Sequence, residues 1–423
     1  MNKIVVIGGG AAGMMFSTQH IRKNKEDSVI VFEKGEYVAW AGCPTPYYIS
    51  SSLDFGAVVS RTVESFTSKG IDVRVNTEIV SVNKDEKYVV TDKNEKVYYD
   101  KLVIAVGAKP NFKLDNAYTL SNPSDAKKIK EKIEDRSTKK ALIVGGGFIG
   151  IELAESFIEK GLDVSLVEAN SELFPIISKN TKDILYDRIK ESGLKCYLAK
   201  KVTSFNDNYV ILDDDTKIDF DILVLATGVK PNIDFISQIV ETKDGKIVVD
   251  KHFNTSVKDI YAIGDSVYNI NRMGGEYIYQ PQGDIANKHG YLLAANKEFK
   301  GTNRSFASSY FEIKVAGTGY SLEEAKKLGY NAKLVEMTGA TKNSHFKEAK
   351  ENKVEVVVDV DNNLILGAFS VGYDAVAQFI DQFSILISQK VKIDELINID
   401  FCYSPTNSTV WNPVLVLYRK VVK

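Results

Sequence analysis

The chain has 423 residues, 54 Lys and Arg against 56 Asp and Glu, a net charge of -2, and 44% hydrophobic residues. That length suits about two to four domains, each with its own core. The even charge excludes a broad basic field for nucleic acid or an anionic membrane, and the composition excludes a disordered or fibrous chain.

The first apolar run, Ile4 to Phe16, is shorter than the roughly 18–20 residues that a membrane span needs. It follows only one cation, Lys3, and has no small-residue cleavage site, so a cytoplasmic protein without an anchor is expected. The run is better read as a βαβ start. Lys3 to Gly8 is a buried strand, Gly8-Gly9-Gly10-Ala11-Ala12-Gly13 is a turn, and a helix follows from about Ala11 to Lys23. A second strand, Ser28 to Glu33, ends in an acid. Gly8 serves the tight turn, Gly10 the backbone approach to a pyrophosphate, and Gly13 close helix–strand packing. The helix N-terminus then offers N–H groups and partial positive charge to the phosphates. Glu33, at the strand end, accepts from the ribose hydroxyls.

Cys43 comes next, in Trp40-Ala41-Gly42-Cys43-Pro44-Thr45-Pro46-Tyr47-Tyr48-Ile49. Pro44 suits a first helical position, which predicts Cys43 at the N-cap, where N–H groups and the helix dipole favour the thiolate. Cys43 is therefore the candidate nucleophile. Tyr99 to Gly107 reads as a strand closing in a glycine turn, and Phe220 to Gly228 is its counterpart. Both are followed by Lys-Pro-Asn, as expected of two chain crossovers between domains.

The first design repeats from Lys140 to Glu168. Ala141 to Val144 is a strand, Gly145-Gly146-Gly147-Phe148-Ile149-Gly150 the turn, a helix runs to about Lys160, and a strand from Asp163 ends at Glu168. A carboxylate at 168, followed by Ala169-Asn170-Ser171 without a cation, predicts NADH over NADPH. Further on, Ile260 to Ile263 is a strand ending in Gly264-Asp265, with Asp265 accepting from a ribityl hydroxyl of a flavin, and a helix runs from about Gln282 to Lys297. From about Tyr310 the character changes to short apolar strands (Lys353 to Val358, Leu364 to Val371), a helix from about Ala375 to Lys390, and an aromatic tail.

Three widely spaced cysteines give neither a disulfide framework nor a C-x-x-C pair. Cys196 reads as packing. Cys402 reads as structural, with a second thiol beside the site as the alternative. His20, His252, His289 and His345 have no metal-ligand spacing and read as surface or helix residues; no metal is expected. Met14-Met15 reads as core.

These motifs resemble the single-cysteine flavoprotein disulfide reductases: coenzyme A-disulfide reductase, NADH-dependent polysulfide and persulfide reductases, and NADH oxidase and peroxidase. The resemblance covers nearly the whole chain, through GGGAAG (8–13), FEK (32–34), CPTPYYI (43–49), TEIV (77–80), GGGFIGIELAE (145–155), ATGVKPN (226–232), TSVKDIYAIGD (255–265), ANKHG (286–290) and FCYSPTNSTVWNPV (401–414). It implies an α/β fold: a discontinuous FAD domain (1–112 and 246–308), an NADH domain (113–245), both Rossmann-like, and a C-terminal α+β dimerisation domain (309–423). It implies FAD and NADH as cofactors and a homodimer acting on a small sulfur substrate. Tyr403 would reach the partner's cysteine. Ala11, Ala12, Lys34, Val80 and Gly107 would join the FAD site, and Phe148, Ile149 and Gly228 the NADH site. Gln19 and Arg22 match coenzyme A contacts, whereas Met15, Ala39, Gly42 and Pro44-Thr45 depart from the usual polar set. The alternative is an NADH oxidase or peroxidase cycling Cys43 through sulfenic acid, against which stands Gly10-Ala11 where those branches carry a histidine.

Overall fold

The computed structural model describes residues 1–422 and separates into two compact units. The first comprises residues 1–139, 221–270 and 277–300. Its centre is a five-stranded sheet in the order Ile260–Ala262, Lys101–Ile104, Lys3–Ile7, Ser28–Phe32, Ile71–Arg74, with all neighbours parallel. These strands are near-continuous apolar runs because both faces are covered. Alternate side chains go to opposite faces. Ile4, Val6, Val29, Val31 and Val103 pack with Met14 and Phe16 of helix Ala11–Lys23 and Ala286 of helix Gly283–Ala294. Val5, Ile7, Ile30, Leu102 and Ile104 pack with Ile79, Val82, Val89 and Val97 on the other face. Those four come from an antiparallel meander, Ile79–Asn83, Tyr88–Thr91 and Lys96–Tyr98, that the apolar pattern did not reveal. The two Lys-Pro-Asn segments run together: Ala108–Pro110 pairs antiparallel with Val229–Pro231, with Lys109 opposite Lys230.

The second unit comprises residues 140–220, 271–276 and 301–422. Lys140–Val144, Asp163–Glu168 and Lys195–Leu198 are parallel strands, with helix Phe148–Glu159 between the first two. The chain then builds a five-stranded antiparallel sheet in the order Phe306–Tyr310, Ile313–Gly319, Leu364–Gly372, Glu351–Asp359, Ala332–Ala340. Helices Val376–Gln389 and Pro413–Val421 bury Phe379, Phe383, Ile387, Val414 and Leu417 in the same core as Val354, Val356 and Ala368 of that sheet. The mixed α/β class and its α+β C-terminal part are as expected. Among the described residues no helix is long and apolar enough to cross a membrane.

The glycine turns fix how each helix meets its strand. Gly8 has φ +107°, and Gly145 repeats it at +112°. A β-carbon on Gly13 would lie 2.0 Å from the Gly8 carbonyl oxygen, and one on Gly150 the same distance from that of Gly145. A β-carbon on Gly10 would meet nothing within 4 Å. Gly13→Ala should therefore destabilise the protein by about 1–3 kcal/mol through overpacking, while Gly10→Ala should stay within roughly 0.5 kcal/mol of the parent. Denaturant unfolding midpoints measure the contrast; equal midpoints for the two variants would refute it.

Candidate active site

In the first unit the glycine turn, the ribose carboxylate and the cysteine segment are tied by backbone bonds. Gly8 N–H donates to Phe32 O at 2.8 Å, bringing the turn to the end of the second strand. There Glu33 Oε2 accepts from Gly9 N–H and Oε1 from Gly35 N–H, both at 2.8 Å. These two bonds orient the carboxylate and leave it lone pairs for hydroxyl donors. Thr77 N–H donates to Glu33 O and Asn76 N–H to Gly35 O, so the segment leading to Val80 runs beside this acid. Val80 and Lys34 are exposed. Gly264 packs against the helix start, since a β-carbon there would lie 3.0 Å from Ala12 Cβ. Its N–H donates to Nδ1 of the buried His289 at 3.2 Å. Burial pulls the His289 pKa down to about 3, so a neutral imidazole holds the turn. Burial likewise pushes Asp265, the next residue, up to about 6, with the Asp284 charge adding to it. Gly107, at φ +63°, closes the strand Lys101–Ile104 and accepts from Asn232 N–H at 3.1 Å.

Cys43 lies in an exposed turn, and its helix differs from the expectation. The helix is Thr45–Ile49 with Pro44 at the N-cap, so Cys43 precedes the cap rather than occupying it. The reason is local: both N–H and Oγ1 of Thr45 donate to Gly42 O, at 3.0 and 2.5 Å, closing a turn before the helix begins. Upstream, Ala39 adopts φ +51° and its N–H donates to Gly9 O at 2.8 Å, which fastens the cysteine segment to the glycine turn.

A cavity of about 280 Å³ opens beside this segment. Ala39, Trp40 and Ala41 form one wall, and Gln19, Arg22 and Arg61 supply polar groups. The expected contacts Gln19 and Arg22 are thus brought together. Arg61 and Asn287 also line the cavity; Arg61 stands in no quoted motif, and Asn287 stands in ANKHG, but the sequence assigned neither to this place, because only the fold brings their loop and helix to it. Met14 and Met15 both line it, so the pair is not simply core, although Met14 is otherwise buried. The Thr18 hydroxyl, on the same cavity, is buried with no protein partner among the described residues.

In the second unit the arrangement repeats. Glu168 Oε2 accepts from Gly146 N–H at 2.7 Å, and Oε1 accepts from the backbone and side-chain N–H of Asn170 at 2.7 and 2.8 Å. A β-carbon on Gly147 would meet open space, as at Gly10. Phe148 and Ile149 are exposed at the start of their helix. Glu152, one turn further on, lies within the GGGFIGIELAE motif, but no role was read for it from the sequence. Burial pushes it from 4.5 up to about 7, although it accepts from Ser308 Oγ at 3.0 Å. Cys196 is on a strand, its thiol pushed by burial up to about 11, in keeping with packing. Tyr403, Val410 and Trp411 of the tail are exposed, as is Cys402. Gly228, at φ +85°, belongs to the first unit.

Residues 2–284 match the pyridine nucleotide-disulphide oxidoreductase family, and residues 306–413 match the dimerisation domain of the same family. The chain belongs to this family. Among its relatives is the NAD(P)H coenzyme A polysulfide/persulfide reductase of Pyrococcus horikoshii, 31% identical over 437 residues that cover 99% of this chain and 98% of that one. The NADH oxidase of Methanocaldococcus jannaschii is 29% identical over 444 residues, 100% and 99% of the two chains. The solved structure of an NAD-dependent persulfide reductase from A. fulgidus superposes with a TM-score of 0.94 at 28% identity, covering 99% of this chain and 82% of that one. As a pyridine nucleotide-disulphide oxidoreductase the protein is an FAD- and NAD(P)H-dependent enzyme carrying a dimerisation domain. The residues present fit two dinucleotides: two open glycine cradles, each with a carboxylate oriented by the turn's own N–H.

Glu152 gives a pH signature. A carboxyl raised in the folded state contributes stability that is complete below about 4.5 and lost as pH rises through about 7. The melting temperature of the parent should therefore fall more between pH 5 and 8 than that of Glu152→Gln. Parallel melting profiles across that range would contradict the assignment.

Proposed function

We propose that this oxidoreductase is a homodimer that uses NADH to reduce the S–S bond of a disulfide, persulfide or polysulfide through Cys43. The observation that carries the reading is the cavity whose wall includes Ala39 to Ala41, two residues before the exposed Cys43 in the chain. Arg22 and Arg61 suit an anionic carrier of the sulfur, such as a phosphate-bearing thiol, and Gln19 and Asn287 add neutral hydrogen bonds. The Pyrococcus relative's coenzyme A-linked name agrees with that chemistry. Met15 and Ala39, which depart from the family's usual polar set, offer the ligand apolar surface.

Glu33 and Asp265, with the open cradle at Gly10, would hold FAD; Glu168 and the cradle at Gly147 would hold NADH. The negative charge of Glu168, with no cation at 169–171, disfavours a 2′-phosphate. FAD, when bound, supplies the two-electron relay between NADH and sulfur. Cys43 thiolate attacks one sulfur of the substrate, and the other sulfur leaves with a proton. Two electrons then cleave the mixed disulfide, so that NADH, a proton and RSSR′ give NAD⁺, RSH and R′SH. Tyr403 of the partner subunit would stand beside the leaving sulfur. The division into an FAD domain (1–112, 246–308), an NADH domain (113–245) and a dimerisation domain (309–423) belongs to this proposal. So does a cytoplasmic location, where exposed thiols such as Cys43 and Cys402 stay reduced.

The Methanocaldococcus relative's name supports a second reading, NADH oxidation by oxygen. The two are separated by following NADH anaerobically with coenzyme A disulfide and with polysulfide, and by oxygen uptake in air. Cys43→Ser should lower sulfur-dependent turnover by about 10³-fold or more, and NADH should be preferred to NADPH in kcat/KM. Full sulfur turnover in Cys43→Ser would overturn the proposal.

A further inference from the structure

The helix after Cys43 does not hold its own place. Thr45–Ile49 has five residues, far below the length at which a helix is stable alone. It is gripped instead by helix Pro123–Glu134, through Lys127 and Lys130. Lys130 Nζ donates to Tyr48 O at 2.8 Å and to Ser51 Oγ at 2.7 Å, and it lies 4.6 Å from the centre of the Tyr48 ring. It thus caps a carbonyl in the last turn of the short helix and fastens the residue just beyond, Ser51, whose φ is +69°. Lys127, one turn earlier, donates to Tyr37 Oη at 2.5 Å and sits 4.3 Å from the Phe55 ring centre. Phe55 in turn packs edge-on against both Tyr37 and Tyr48.

Two ammonium groups on one helix therefore hold both flanks of the cysteine turn: Tyr37 before it, Tyr48 and Ser51 after it. Packing alone would not call for them. The Lys130 side chain is only 18% exposed, and a shielded ammonium costs free energy unless each donor is satisfied. A leucine or methionine would fill the space without that cost. What the ammonium adds is direction, since its acceptors fix the short helix at defined points.

We propose that Lys127 and Lys130 are positioning residues that set where the Cys43 sulfur lies for the S–S chemistry. The proposal rests on the reading of Cys43 as the sulfur-transferring residue. Displacing a reacting atom by about 1 Å costs up to roughly 100-fold in rate.

The test uses the holoenzyme with Lys130→Met, Lys127→Met and the conservative Lys130→Arg. In both methionine variants the sulfur half-reaction should slow roughly 10- to 100-fold, while oxidation of NADH in a single turnover keeps its parent rate. Amide exchange should accelerate in the peptide 44–51 but not in the strands Lys3–Ile7 and Ser28–Phe32, and the rate of Cys43 alkylation by iodoacetamide should change. Lys130→Arg should restore most of the sulfur rate. Should Lys130→Met fail to fold, Lys130→Gln, which keeps a shorter polar stem without the charge, takes its place. Parent values for the sulfur half-reaction and for exchange in 44–51 overturn the proposal, and so does an equal slowing of both half-reactions. Loss of sulfur turnover in Cys43→Ser together with parent behaviour in the lysine variants would sink the clamp alone. Retained turnover in Cys43→Ser would sink the underlying reading, whatever the exchange data show.

Discussion

Two carbonyl oxygens, those of Gly8 and Gly145, occupy the space a β-carbon would need at Gly13 and Gly150. That close approach lets each helix start directly above the end of its strand. The same turn presents the N–H of Gly9 or Gly146 to a carboxylate on the neighbouring strand. One steric constraint thus produces an anion-binding helix start, an open cradle and an oriented acid together. The cysteine turn depends on it too, because Ala39 is fastened to the carbonyl of Gly9.

Much of this was legible in the sequence because it is local. Glycine spacing, apolar runs and a terminal acid lie within about 30 residues of one another in each nucleotide unit. The two Lys-Pro-Asn segments were expected to be counterparts, and they lie side by side in one antiparallel pair. The meander between residues 79 and 98 was not, since its strands are short, half exposed and recognisable only by what they cover. The place of Arg61 and Asn287 was not legible for the same reason: they meet Gln19 and Arg22 only after the sheet and its two helices have formed. The position of Cys43 relative to its helix was misread by one residue because proline at a helix start was weighed without the Thr45 turn that displaces the start.

Burial shifts the acids in one direction. Asp265 and Glu152 are both raised by burial, Asp265 in the short helical turn after its strand and Glu152 in the second turn of its helix. His289, beneath Asp265, is kept neutral. In the first unit, neutral hydrogen bonding by His289 thus stands close to the glycine turn.

The pairing of Ala108–Pro110 with Val229–Pro231 carries an evolutionary corollary. The chain departs and returns through one hydrogen-bonded doorway, so everything between those strands begins and ends within a strand spacing of itself. A stretch with adjoining ends can be duplicated, exchanged or grafted without re-routing its host.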